Sequence, residues 1–193
     1  KGQLVEVDRS GLVSGYVGQT AIKTKEVIDS AMGGVLFIDE AYVLGQVKFG
    51  TEEAIPELLT AMENNRDDFA VIVAGYTDDM KRFIDSNPGL QSRFNRYIEF
   101  PDYSAEELHQ IFLSSAKKYE YKLTEEADAF LKHALEDVVA NKDKNFGNGR
   151  FVRNLFEKVV ENQANRLSTV SHVSSEILAT IEVEDIEKSL RNK

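Results

Sequence analysis

The sequence predicts two parts in succession: an α/β layered domain built on a parallel sheet, then a small all-helical bundle. Three observations carry this. Two runs, VLFI (35–38) and FAVIVA (69–74), are apolar without alternation, the mark of strands buried on both faces of a parallel sheet. Segments of helical periodicity alternate with them, as βαβ architecture requires. Beyond Pro101 the pattern is helical only.

In order along the chain, LVEV (4–7) is a short β-rich run followed by the turn-prone Asp8-Arg9-Ser10-Gly11. Thr20 is placed to cap a helix carrying Ile22, Val27, Ile28, Ala31 and Met32, which Gly33-Gly34 ends. The strand VLFI stops abruptly in Asp39-Glu40. After a loop at 45–50, Ile55, Leu58, Leu59 and Met62 fall at i, i+3, i+4 and i+7, with Pro56 in the first turn. FAVIVA follows, and RYIEF (96–100) is expected as a third strand of this series, ending at Pro101.

Ser104 and Glu107 make a capping box for the next helix. Thr124 caps another, with Ala127, Phe130, Leu131, Ala134, Leu135 and Val138 as its apolar stripe. A third helix is expected over about 150–167 and a fourth near 183–190. The expected domains are therefore 1–102 and 103–193.

Composition excludes several functions. Across 193 residues the net charge is −10, so the chain as a whole repels phosphate backbones and anionic lipid, which argues against nucleic acid as a partner. With no cysteine there is no disulfide scaffold and no thiolate metal site, which fits a reducing, cytoplasmic setting. No apolar run approaches the ~18 residues of a membrane span.

Four features point to chemistry. A buried strand that ends in Asp39 and Glu40 sets two carboxylates at the sheet edge where open α/β sheets bind ligands. The first could hold magnesium and the second polarise an attacking water; an acidic turn after a core strand is the equal alternative. Arg93 and Arg96 flank Phe94 in SRFNR and could face a phosphate, although pairing with the many acids is the commoner fate of such arginines. Arg150 and Arg153 stand in the first turns of a helix, where cations oppose the dipole unless an anion sits between them; Glu157, one turn on, is the alternative partner. Tyr16, flanked by glycines, is offered by a loop to a partner or packs on its own domain. His109, His133 and His172 have no metal-ligand spacing and are expected to be surface or partly buried residues.

The ordered set GYVGQT, GGVLFIDEAY, VIVAGY, NPGLQSRF and GNGRFVRNLFE resembles the CbxX/CfqX branch of the AAA+ ATPases over about residues 3–170. That branch includes red-type Rubisco activases and a sporulation-associated protein. The resemblance implies an AAA+ parallel-sheet nucleotide-binding domain followed by a helical lid, with ATP and Mg2+ as nucleotide and metal. It implies that Asp39 is the Walker B magnesium residue, Glu40 the catalytic glutamate, Arg93 an arginine finger with Arg96 as a second, and Arg150 the sensor 2 arginine with Arg153 as runner-up. Tyr16-Val17-Gly18 is similar to the pore loop that grips a substrate polypeptide in a homo-oligomeric, hexameric ring. Many family members carry an Asn as sensor 1 where this chain has Gly75-Tyr76-Thr77; a hydroxyl of Tyr76 or Thr77 could stand in.

No Gly-x4-Gly-Lys-Ser/Thr occurs, and no lysine follows a glycine anywhere. The resemblance puts that phosphate loop just upstream of LVEV, so the sequence is expected to be a piece lacking the loop and its strand, which belongs between RYIEF and FAVIVA. An ATP-dependent protein-remodelling ATPase is then expected of the longer protein. The alternative is a non-catalytic binding or oligomerisation module.

Overall fold

The computed structural model describes residues 2–14, 16, 18–46, 53–143, 146–170, 172 and 174–191. Two compact units result, Lys1–Glu99 and Phe100–Lys193.

The first unit is built on three parallel strands in the order β1 (Leu4–Val7), β2 (Val35–Ile38) and β3 (Ala70–Val73). Leu4 pairs with Val35, and Val35 in turn with Ala70, so both sides of β2 are hydrogen-bonded. Its Leu36 and Ile38 are wholly buried, which is what an unbroken apolar run requires. The turn-prone residues after β1 form a single helical turn, α1 (Arg9–Leu12), because the Asp8 carboxylate accepts from Gly11 N and caps it. α2 (Thr20–Ala31) begins one residue earlier than expected. Gln19 is its N-cap, and the Thr20 hydroxyl instead accepts from Ser14 N at 3.1 Å. Gly33, at φ 79°, ends that helix. A 3₁₀ turn (Ala41–Gly45) and α3 (Ala54–Asn64) lead to β3, followed by α4 (Thr77–Asp85) and α5 (Pro88–Arg93). Leu12, Ile28, Leu44, Leu58 and Leu90 close the core over the sheet.

The RYIEF segment is not a strand. Residues 94–100 run without regular structure, and Tyr97, Ile98 and Phe100 are exposed at 67, 80 and 90%. A ladder forms only where a neighbouring backbone meets the segment, and among the described residues no strand lies beside it. β3 consequently ends the sheet among the described residues, with Ile72 about half exposed, so FAVIVA is a strand as expected but not one buried on both faces.

In the second unit α6 (Ala105–Lys118), α7 (Glu125–Ala140), α8 (Gly149–Leu167) and α10 (Val183–Arg191) enclose Leu108, Phe112, Leu131, Val152 and Ile186. Two short parallel strands, β4 (Lys122–Leu123) and β5 (Thr180–Ile181), and the single turn α9 (Ser175–Leu178) complete it. The expected capping box is present: Ser104 Oγ accepts from Glu107 N, and the Glu107 carboxylate accepts from Ser104 N at 2.8 Å. Those bonds hold the Glu107 carboxyl below the usual range. His109 is buried, deeper than the surface or partly buried position expected. α6 turns it inward, where Nε2 meets Asp128 Oδ1 at 2.8 Å. A helical stripe read only from aliphatic and aromatic residues misses a histidine on the same face.

Candidate functional site

At the end of β2 the ladder continues for one more bond on each side, Asp39 N to Val7 O and Ala41 N to Ala74 O. Asp39 and Glu40 therefore stand at the C-terminal edge of the sheet, and both are exposed. Asp39 Oδ1 accepts from Glu40 N at 3.0 Å, which leaves its other oxygen available to a ligand. Glu40 takes the left-handed conformation, φ 49° and ψ 40°, rare for a residue with a side chain and a form of strain often found at working sites. The strained turn releases the chain into the 3₁₀ segment and turns the two carboxylates out of the strand line.

Tyr42, in that segment, closes the GGVLFIDEAY motif but was given no role by the sequence. Burial first, and then the nearby Glu40 carboxylate, push its phenol pKa up. Its ring lies 6.3 Å from that of Tyr76. Between them Gly75 is required, since a Cβ there would come within 2.7 Å of the Tyr42 ring. Tyr76 and Thr77 follow β3 as Asp39 and Glu40 follow β2, so the parallel register brings both pairs to one sheet edge. Tyr76 is exposed and precedes the first turn of α4.

Arg93 is the last residue of α5 rather than part of a loop. Its Nη2 donates to Glu63 Oε2 at 3.0 Å, and Phe94 beside it is buried as an anchor. Glu63, thirty residues away, gave no signal in the sequence. Arg96 is exposed and has no ion pair among the described residues. Tyr16 is 73% exposed, while Val17 lies outside the described residues. Gly18 has φ 76°, with open space where a Cβ would point.

In the second unit Arg150 and Arg153 are exposed on the first turns of α8. Neither has an ion-pair partner among the described residues, so Glu157 does not neutralise Arg153. Arg153 borders a groove of about 550 Å³ shared with Lys118, Tyr119 and Phe156. Asn148, inside the GNGRFVRNLFE motif but given no role by the sequence, fixes the start of α8. At φ 50° it accepts from Tyr103 N at 3.1 Å and donates to Asp102 Oδ1 at 3.0 Å.

Among the described residues no cluster of three metal-ligating side chains occurs, and no helix is long and apolar enough to cross a membrane. A lone carboxylate with a free oxygen still suits magnesium, which retains water and takes its other ligands from phosphates.

Comparison with known proteins bears on the family and the fold. The model of the ATPase family associated with various cellular activities (AAA) matches residues 1–102, and an AAA lid domain matches 104–193. Protein CbbX of Cereibacter sphaeroides is 47% identical over 98% of this chain and 62% of its own length. Stage V sporulation protein K of Bacillus subtilis is 44% identical over 96% of this chain and 59% of its own. The chloroplastic ribulose bisphosphate carboxylase/oxygenase activase of Cyanidioschyzon merolae is 44% identical over 98% of this chain and 66% of its own. The chain thus spans about three fifths of the length of such relatives. Among solved structures, the FIGL-1 AAA domain superposes with a TM-score of 0.67 at 15% identity, covering 96% of this chain and 60% of that one, which supports the fold. The chain belongs to the AAA ATPases, in the branch of the CfxQ and CbbX proteins.

Proposed function

We propose that the protein to which this chain belongs hydrolyses ATP in a homo-oligomeric, hexameric ring and uses the energy to remodel a protein substrate. One observation supports this above the rest: two exposed carboxylates, the second on a left-handed backbone, at the C-terminal edge of a strand paired on both sides. Magnesium bound at Asp39 would supply charge neutralisation for the nucleotide phosphates. Glu40 orients and polarises the attacking water, and its exposure leaves the carboxylate able to accept that water's hydrogen bond. Tyr76 or Thr77, at the same edge, offers a hydroxyl to the water or the terminal phosphate. Arg93 and Arg96 are the guanidinium groups for a neighbouring subunit's nucleotide, and Arg150, with Arg153 as the alternative, senses the phosphates. Tyr16-Val17-Gly18 grips the polypeptide, for which the exposed Tyr16 ring is suited.

Steady-state ATP turnover of the full-length protein tests the reading. Glu40→Gln keeps shape and removes the base, and is expected to lower kcat by 10²-fold or more with nucleotide affinity retained. Wild-type turnover would remove Glu40 from the mechanism. Tyr16→Ala, run beside it, is expected to leave turnover intact and abolish remodelling.

A second reading has its own support, the lack of any Gly-x4-Gly-Lys-Ser/Thr in these 193 residues. That loop provides the backbone cradle and the lysine for the phosphates. On this reading the 193 residues alone bind partners without catalysis. Calorimetric titration of the chain with Mg-ATP is expected to show weak or no binding; a submicromolar Kd would overturn it.

A further inference from the structure

Glu63 stands one residue before the end of α3, and its carboxylate is divided between two arginines. Oε1 accepts from Arg66 Nη2 at 2.9 Å and Oε2 from Arg93 Nη2 at 3.0 Å. Arg93 Nη1 is turned toward Gly89 O and Ser92 Oγ, at 3.4 and 3.3 Å. Arg93 Nε is buried and has no hydrogen-bond partner among the described residues. Nε and Nη2 form one edge of the guanidinium, the edge that grips a carboxylate or phosphate with two parallel bonds. Here half of that edge is used and half is unmet.

We propose that Glu63 is a positioning residue that parks Arg93 inside its own subunit, and that a phosphate takes the Nε–Nη2 edge once Glu63 releases it. The proposal rests on the reading of Arg93 as a nucleotide-facing arginine. Three features of the contact suit a releasable hold. It is a single bond to a carboxylate more than half exposed, and such pairs are weak in water. A buried donor without a partner is unfavourable, and an oxyanion that meets both nitrogens relieves it. Arg66 stays on Glu63 after Arg93 departs, so the carboxylate is not left without a counter-charge. Meanwhile the end of α5 is held independently by buried Leu90 and Phe94, so the guanidinium can exchange partners without unravelling the helix.

Two measurements on the full-length protein test this. Phenylglyoxal labelling without nucleotide, read by peptide mass spectrometry, reports how free each guanidinium is. Glu63→Gln is expected to speed modification of Arg93 at least threefold while Arg96 labels at its original rate. In ATP turnover the same variant is expected to be more active than wild type at low protein concentration, with an unchanged melting temperature. Arg93→Ala serves as the control for the underlying reading: turnover unaffected by it removes the nucleotide role of Arg93, whatever the labelling shows. If Arg93→Ala is inactive but Glu63→Gln leaves either Arg93 labelling or turnover unchanged, the parking role is overturned. A lowered melting temperature with lowered turnover also overturns it, and makes the pair a staple between α3 and α5.

Discussion

In the helical unit a wholly buried carboxylate is fully paired, whereas in the sheet unit strand-type side chains at the sheet edge and beyond α5 lack, among the described residues, the neighbours that would cover them. Asp185 is wholly buried, yet Arg166 grips it with two bonds, Nε to Oδ1 at 3.0 Å and Nη2 to Oδ2 at 2.9 Å, and Glu182 N adds a third at 2.9 Å. In the sheet unit Leu36 and Ile38 are as deeply buried as any helical core residue, but Ile72 on β3 and Ile98 beyond α5 face solvent. The contrast follows from backbone chemistry. A helix satisfies its own amides and needs neighbours for side chains alone, while a strand needs neighbours for its amides as well.

The largest effect expected from breaking this contrast is at the buried pair. Asp185→Asn takes from Arg166 the buried carboxylate whose hydrogen bonds chiefly raise its pKa, and leaves it only the partly exposed Glu182 and Glu184, at 3.0 and 3.4 Å. Removing one partner of a buried pair costs about 3–5 kcal/mol when the other charge is left alone, and the two remaining acids put the loss here at the lower end of that range, to be read from urea denaturation monitored on the helical unit. The double replacement Arg166→Met with Asp185→Leu is expected to recover most of that loss. Failure to recover would mean that the network positions the α8–α10 junction in some further way.

Next in size is Gly75→Ala, which carries the test to the candidate site. Its Cβ would stand within 2.7 Å of the Tyr42 ring and 2.9 Å of Met80 Sδ, so the ring must move away from the turn that holds Glu40. Overpacking of this kind costs about 1–3 kcal/mol. ATP turnover of the full-length variant is expected to fall further than stability does, because Tyr42 and Glu40 shift together. Equal changes in both would show that Gly75 matters for packing alone.

How far the sequence revealed these arrangements depends on the range of the interaction. VLFI, the Ser104–Glu107 box and the α7 stripe were legible because each is set by its own residues within a turn or two, and FAVIVA was legible as a strand though not in its burial, which a neighbour on its far side decides. RYIEF was not: its β-propensity is real, but strand formation is decided by a neighbour that no local pattern reports. At the site, Asp39 and Glu40 were legible from the abrupt end of a strand. The Glu63–Arg93 contact spans thirty residues, and the Tyr42–Gly75 contact joins two turns across the sheet edge. Neither spacing has a periodicity to betray it. Likewise, Asn148 looks like a loop residue until its bonds to positions 102 and 103 are seen.

A smaller effect comes from the α6 cap. Because the fold lowers the Glu107 pKa from 4.5, its contribution to stability is complete above that value and is lost as the pH falls through the lowered folded value. Ser104→Ala removes the N-cap and is expected to cost about 1 kcal/mol at neutral pH. Thermal melts from pH 7 to pH 3 should show a shallower acid limb for Glu107→Gln than for wild type, and an identical limb would deny the cap any linkage to pH.

The smallest expected effect is the one that decides whether residues 94–100 are stably covered in this chain. Ile98 is 80% exposed, and an exposed apolar side chain replaced by a polar one changes stability by no more than about 0.5 kcal/mol. Ile98→Ser in the 193-residue chain should therefore leave the urea midpoint almost unmoved, whereas a buried strand residue such as Ile38 replaced by Ala is expected to cost about 2–5 kcal/mol. A loss above about 1.5 kcal/mol at Ile98 would mean that the segment is covered in solution, by a second chain or by its own. Repeating the pair of measurements in the full-length protein sharpens the result. Should Ile98 become costly only there, the added residues supply the ladder that turns RYIEF into a strand, and the difference between the two units is a property of this chain length rather than of the fold.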